Sequence, residues 1–180
     1  MNAASLHARL LGAAFNNLPP AVRDLHDGAA RGTFRGVAKV ERGAGLIARL
    51  AAWLFGFPAA GESIPIELVI EASGEREIWR RDFGGQRFES ELTLGRGRND
   101  RLLVERFGAA RVGLALIVEE NRLRIIPRRM SVFGVPFPSA LLPRGESFES
   151  EVDGRFSFDV EIDLPLAGLV VRYQGWLAGV

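Results

Sequence analysis

His7 and His26 are the only imidazoles in the chain, and cysteine is absent. A hydrolytic relay needs a nucleophile, a base and an orienting acid within hydrogen-bond reach of one another. Asp24 lies close to His26, yet no Gly-x-Ser-x-Gly turn presents a serine to them. Both histidines therefore read as solvated surface groups, and no catalytic residue is assigned. A metal site fails for a related reason, because Pro19 and Pro20 break the helical spacing that would bring the two rings together. Lys39 is the only lysine and falls in a plain strand, so Schiff-base chemistry has one candidate and no supporting context.

Gly43, Gly45 and Ala48 match the G-x-G-x-x-A pattern of dinucleotide-binding turns, and they stand between a strand and a helix. That motif works at the edge of a parallel sheet built from strand-helix-strand units, whereas after Ser63 the strands follow one another without helices. These glycines read as a plain strand-to-helix turn, and no cofactor is expected. An anion on the free N–H groups of the helix start is the lesser alternative.

Polar residues on the apolar register of strands are more informative, because a buried polar group needs a partner. If Trp79 and Phe83 face inward, Arg81 comes with them; Ser90 joins Phe88 and Leu92; Glu105 lies between Leu103 and Phe107; Tyr173 shares a face with Leu169 and Val171. Two readings fit. One is an Arg81 to Glu105 pair inside a filled barrel, and the other is a pocket that holds an amphiphile by an apolar body and one polar head. On the second, the ligand-binding residues are Trp79, Arg81, Phe88, Ser90, Glu105 and Tyr173. A register slip of one residue would turn all of them outward.

The elements that would position these groups follow from periodicity. Leu6, Leu10, Leu11, Ala14, Phe15 and Leu18 recur at helical spacing until Pro19, and a short turn over 20–26 closes at Asp27 and Gly28. The period becomes two over 33–41, then a second helix over 46–55 ends at Gly56. Strands are expected over 64–70, 75–83, 87–94, 101–107, 111–119, 122–130, 155–164 and 169–177, with Gly84 and Gly85 as a hairpin turn and Pro127 at an edge or bulge. Residues 133–145 read as a long loop with one turn near 139–142. The spacing leaves no room for crossovers, so neighbours pair antiparallel. The predicted fold is mainly β with two helices: an antiparallel up-and-down barrel or strongly curled sheet of about eight to ten strands, lipocalin-like. A two-sheet sandwich is one rival. A helix-grip α+β arrangement is the other, because the 46–55 helix is apolar on nearly all sides and would need burial.

Composition bounds the functions. With 180 residues, 47% hydrophobic, 25% charged and a net charge of +1, the chain reads as a single folded domain over 1–180. Balanced arginines and carboxylates provide no basic field for a polyanion, so nucleic acid is not an expected partner. The start lacks a basic n-region, which with the missing cysteine suggests the cytoplasm. The most apolar stretch, 45–58, contains Arg49 and is too short for a transmembrane segment. With one arginine the same helix has little attraction for anionic lipid, which makes membrane docking a minor option.

Six segments carry a resemblance: LPPAVRDLH at 18–26, WRRDF at 79–83, ERFG at 105–108, GVPFP at 134–138, DGRFSFD at 153–159 and YQGWL at 173–177. Together they resemble a bacterial family of domains of unknown function, number forty-one sixty-six, over nearly the whole chain. Members of that family occur alone or fused to saccharopine-dehydrogenase-like Rossmann proteins. The resemblance therefore implies an accessory role beside a dehydrogenase-like redox enzyme, and it supplies no catalytic residues. The expected function is non-catalytic binding of a small apolar or lipid-like ligand in a barrel cavity. The alternatives are a filled-barrel interaction module, acting through the 133–145 loop or the second helix, and an enzyme that uses Glu105 on an apolar ligand.

Overall fold

The structure is a computed structural model that describes residues 4–27 and 32–180. Gly28, expected to close the second helical turn, lies outside the described residues. Two helices come first, α1 (Leu6–Leu11) and α2 (Pro20–His26), joined through a 3-10 turn (Gly12–Asn17). Strand β1 (Thr33–Arg42) leads to α3 (Leu46–Leu54). Then come β2 (Gly61–Ser73), β3 (Arg76–Phe83), β4 (Gln86–Leu94), β5 (Leu103–Phe107), β6 (Ala110–Glu119) and β7 (Arg122–Val132). The two-residue β8 (Val135–Pro136), β9 (Ser147–Val152), β10 (Arg155–Leu164) and β11 (Gly168–Gly179) complete the fold.

Neighbours pair antiparallel throughout: β1 to β7 in chain order, then β9 on β7, β10 on β9, β11 on β10, and β11 back onto β1. The result is a closed ten-stranded barrel, with β8 folded back on β7 as an extra strand. Closure sets aside both the sandwich and the helix-grip alternative, and among the described residues the α-helices number three where two were expected. Gly84 and Gly85 sit at φ +60° and +98°, which is the twist that a two-residue hairpin between right-twisted strands requires. Pro127 lies opposite Leu114 while Arg129 lies opposite Gly113, so Arg128 is the extra residue of a bulge there.

The two ends of the barrel differ. α1 and α2 plug one end, burying Leu6, Val22 and Leu25 against the strands. Carboxylates on the barrel cap both helices: Glu77 of β3 accepts from Leu6 N–H at 3.2 Å, and Glu151 of β9 accepts from Ala21 N–H at 2.7 Å. Such charge-assisted bonds to free helix N–H groups fix the plug to the wall.

At the other end, α3 leans on β11 and β1. It was expected to be buried on nearly all sides, and the structure corrects this. Only Ala48 and Ala52 are buried, while Leu46, Ile47, Leu50, Trp53 and Leu54 face outward. Close approach is the reason. A Cβ on Gly43 would stand 1.7 Å from Leu169 O and 3.0 Å from Ala48 Cβ, so only small residues let the helix seat here. The same contact explains Gly43 of the dinucleotide-like motif, whose N–H donates to Val170 O at 3.2 Å. Trp176 lies on the outer wall, with the Arg155 guanidinium carbon 4.5 Å from its ring centroid. Among the described residues no helix is long and apolar enough to cross a membrane.

Candidate ligand cavity

Inside the barrel a cavity of about 160 Å³ remains. Phe55 and Phe57, which follow α3, form a collar with Phe107 of β5, their ring centroids 6.0 to 6.2 Å apart. Below the collar, Leu114, Ile125, Val160 and Ile162 supply apolar wall, and Arg81, Glu105, Glu149 and Tyr173 bring polar groups to the same space.

Strand alternation on β3 turns Arg81 inward with Trp79 and Phe83, as its register predicts. Its guanidinium carbon lies 5.0 Å from the Trp79 ring centroid and 4.9 Å from that of Phe88, its directly opposite neighbour on β4. Nη1 donates to Ser90 Oγ at 2.9 Å, and Nη2 reaches Glu105 Oε1 only at 3.5 Å. A cation held between two aromatic faces, with its carboxylate at the limit of bonding distance, has direction to spare for another acceptor. Tyr173 packs edge-on against Phe83 with centroids 5.7 Å apart. Burial pushes its hydroxyl up to about 12, with Glu105 and Glu149 adding to the rise and Arg81 opposing it, so the group stays a donor.

The structure thus brings all six candidates to the barrel interior. Arg81, Phe88, Glu105 and Tyr173 line the cavity, whereas Trp79 and Ser90 support Arg81 from beside it. Sequence reasoning missed Phe55, Phe57 and Phe107 as cavity walls, and it missed Glu149, which sits on a strand (β9) not assigned at all. The pairing implied by the Asp153 and Gly154 hairpin signal could have revealed that strand.

The histidines require a larger correction. Both are buried, not solvated, and their rings stack with centroids 3.7 Å apart above Trp79. His26 Nε2 donates to Glu149 Oε2 at 2.5 Å, and Trp79 Nε1 donates to Glu77 Oε2 at 3.2 Å. The floor of the cavity is therefore a polar layer anchored on the helical plug, and it reaches the cavity through Glu149. Burial, and then the neighbouring His26, hold His7 well below its ordinary value. A histidine kept unprotonated in the folded state, but free to charge at its ordinary value when unfolded, contributes stability above that value. The contribution falls away as pH drops below it. Melting temperature is accordingly expected to fall as pH drops below about 6.5, the ordinary value around which the unfolded histidine takes up its proton. His7→Phe, which keeps a ring over His26, should flatten that acid limb; an unchanged slope in a thermal melt series would show that His7 is not its source.

Fold and site together define an antiparallel up-and-down β-barrel with a small interior cavity, apolar at the collar and polar below it. The chain belongs to the family described as Domain of unknown function (DUF4166), whose model matches residues 18–177. No curated protein matches it.

Proposed function

We propose that this domain binds a small ligand with an apolar body and a hydrogen-bond-donating polar head, without transforming it. The observation that carries the reading is the convergence of Arg81, Glu105, Glu149 and Tyr173 on a cavity walled for the most part by aromatic and aliphatic side chains. Size supports a narrow class. A volume of 160 Å³ resembles a dry apolar cavity of about 150 Å³ that accepts benzene, and lies below the roughly 300 Å³ at which drug-sized sites begin. A longer, lipid-like tail requires the Phe55 and Phe57 collar to open. Polarity narrows the class further, because the single guanidinium of Arg81 reaches Glu105 alone, while Glu149 at the same cavity wall is held by His26. Arg81 and Tyr173 offer donors and Glu105 an acceptor, so a head that both accepts and donates, such as an alcohol or amine, fits better than a carboxylate.

Native mass spectrometry of the purified protein, before and after denaturation, tests this. An adduct, or uptake of a short-chain alcohol or amine, is expected for the natural chain. It is expected to vanish in Val160→Phe, which fills the cavity from β10, with the far-ultraviolet spectrum unchanged. A bare mass with no uptake across such a panel would overturn the reading in favour of a filled barrel.

A further inference from the structure

We propose that the collar end of the barrel docks on the headgroup layer of an anionic bilayer, with the outer face of α3 as the inserted element. The helix presents its large apolar residues to water, Leu46 being 82% exposed, Trp53 76% and Leu50 63%, while its alanines face the barrel. Each such side chain left in water forgoes the free energy of burial, a poor arrangement unless something covers that face. Two turns at the same end add to it: Leu166 between β10 and β11, and Phe133 between β7 and β8, are 77% and 75% exposed.

Charge selects the occupant. α3 contains no carboxylate, and the shallow groove along its flank is bordered by Arg42, Arg49 and Arg87 with no acidic residue among its lining. Arg87 is held by Asp82 at 2.8 Å, while Arg42 and Arg49 have no carboxylate within 4.0 Å among the described residues. Sequence alone shows only Arg49 beside the apolar face. The fold adds Arg42 from the end of β1 and Arg87 from the start of β4. A second copy fits poorly, because a two-fold contact would set the unpaired Arg42 and Arg49 of this groove against their own copies. An anionic bilayer offers what the face lacks, with phosphates for the arginines and an apolar layer for Leu50 and Trp53, whose ring suits the interface. Docking does not rest on the ligand reading. If both hold, the collar opens toward the acyl region.

Sedimentation of the full chain with vesicles tests the proposal. Binding is expected to phosphatidylcholine vesicles containing one third phosphatidylglycerol, weakening with salt, and not to phosphatidylcholine alone. Leu50→Glu and Trp53→Glu each should lower binding at least about tenfold with an unchanged melting curve, because neither side chain supports the core. Arg42→Gln combined with Arg49→Gln should lower it on anionic vesicles. Equal binding to neutral vesicles, or no binding to either, overturns the proposal. So does a concentration-dependent dimer in light scattering that Leu50→Glu abolishes, which would make a second copy the occupant. None of these readouts needs a bound ligand, so a failure here leaves the cavity reading intact.

Discussion

Arg81→Met is expected to lower the unfolding free energy by about 2 to 4 kcal/mol, and adding Glu105→Leu to restore most of that loss. The two side chains are 14% and 19% exposed, and what they expose faces the cavity. Removing Arg81 leaves Glu105 in an apolar enclosure without a counter-charge, and it strips Ser90 Oγ of its donor and the Trp79 and Phe88 faces of their cation. Replacing both members removes the uncompensated charge as well, so the double variant should approach the natural chain in a urea titration. A filled, purely structural pair and a binding site both predict that recovery in stability. They part on ligand. In a binding site, the recovered double variant retains hydrocarbon uptake but no longer prefers an alcohol or amine head over an alkane of equal length. If head-group preference survives in the double variant, Arg81 and Glu105 do not orient the ligand.

What made this pair readable was plain alternation. On β3 the inward set runs from Glu77 through Trp79 to Phe83, so the arginine between the two aromatics had one direction available. Glu105 and Tyr173 were placed by the same logic on β5 and β11. β9 defeats it, because its inward positions are Ser147 and Glu149 while Phe148 faces outward under the Arg122 guanidinium, 5.1 Å from the ring centroid. There the pattern is inverted: the inward polar groups are satisfied by His26 and by the β10 backbone, which a single sequence does not reveal. His7 and His26 lie on short helices whose apolar spacing was clear, but their stacking depends on how α1 and α2 meet over the barrel end. α3 was legible as a helix and misread in its orientation. Binary patterning assumes that the largest apolar residues seek the core, and here close approach to β11 admits only alanine.

Close approach also governs the seam between the first and last strands, where Gly36→Ala and Gly175→Ala are each expected to cost more than about 3 kcal/mol. A Cβ on Gly36 would lie 1.8 Å from Trp176 O, and one on Gly175 would lie 2.1 Å from Val37 O. Both obstacles are backbone oxygens on the paired strand, which cannot rotate aside as a side chain would, so β1 and β11 must separate. Gly179→Ala is the control on the same strand, since its Cβ would meet only the Phe34 ring at an ordinary 3.9 to 4.0 Å, and it should change stability by no more than about 0.5 kcal/mol. The Gly36 and Gly175 losses should not add in the double variant, because one widened seam accommodates both methyl groups. Guanidinium titrations of the four variants check these expectations; costs near that of Gly179→Ala would mean that the seam yields without opening. The seam matters for the cavity because Tyr173 lies on β11 directly opposite Val40 of β1 and Val160 of β10. A strand that swings away from β1 carries the Tyr173 hydroxyl away from Arg81 and Glu105. Ligand retention should therefore fall in Gly36→Ala even under conditions where the rest of the barrel stays folded.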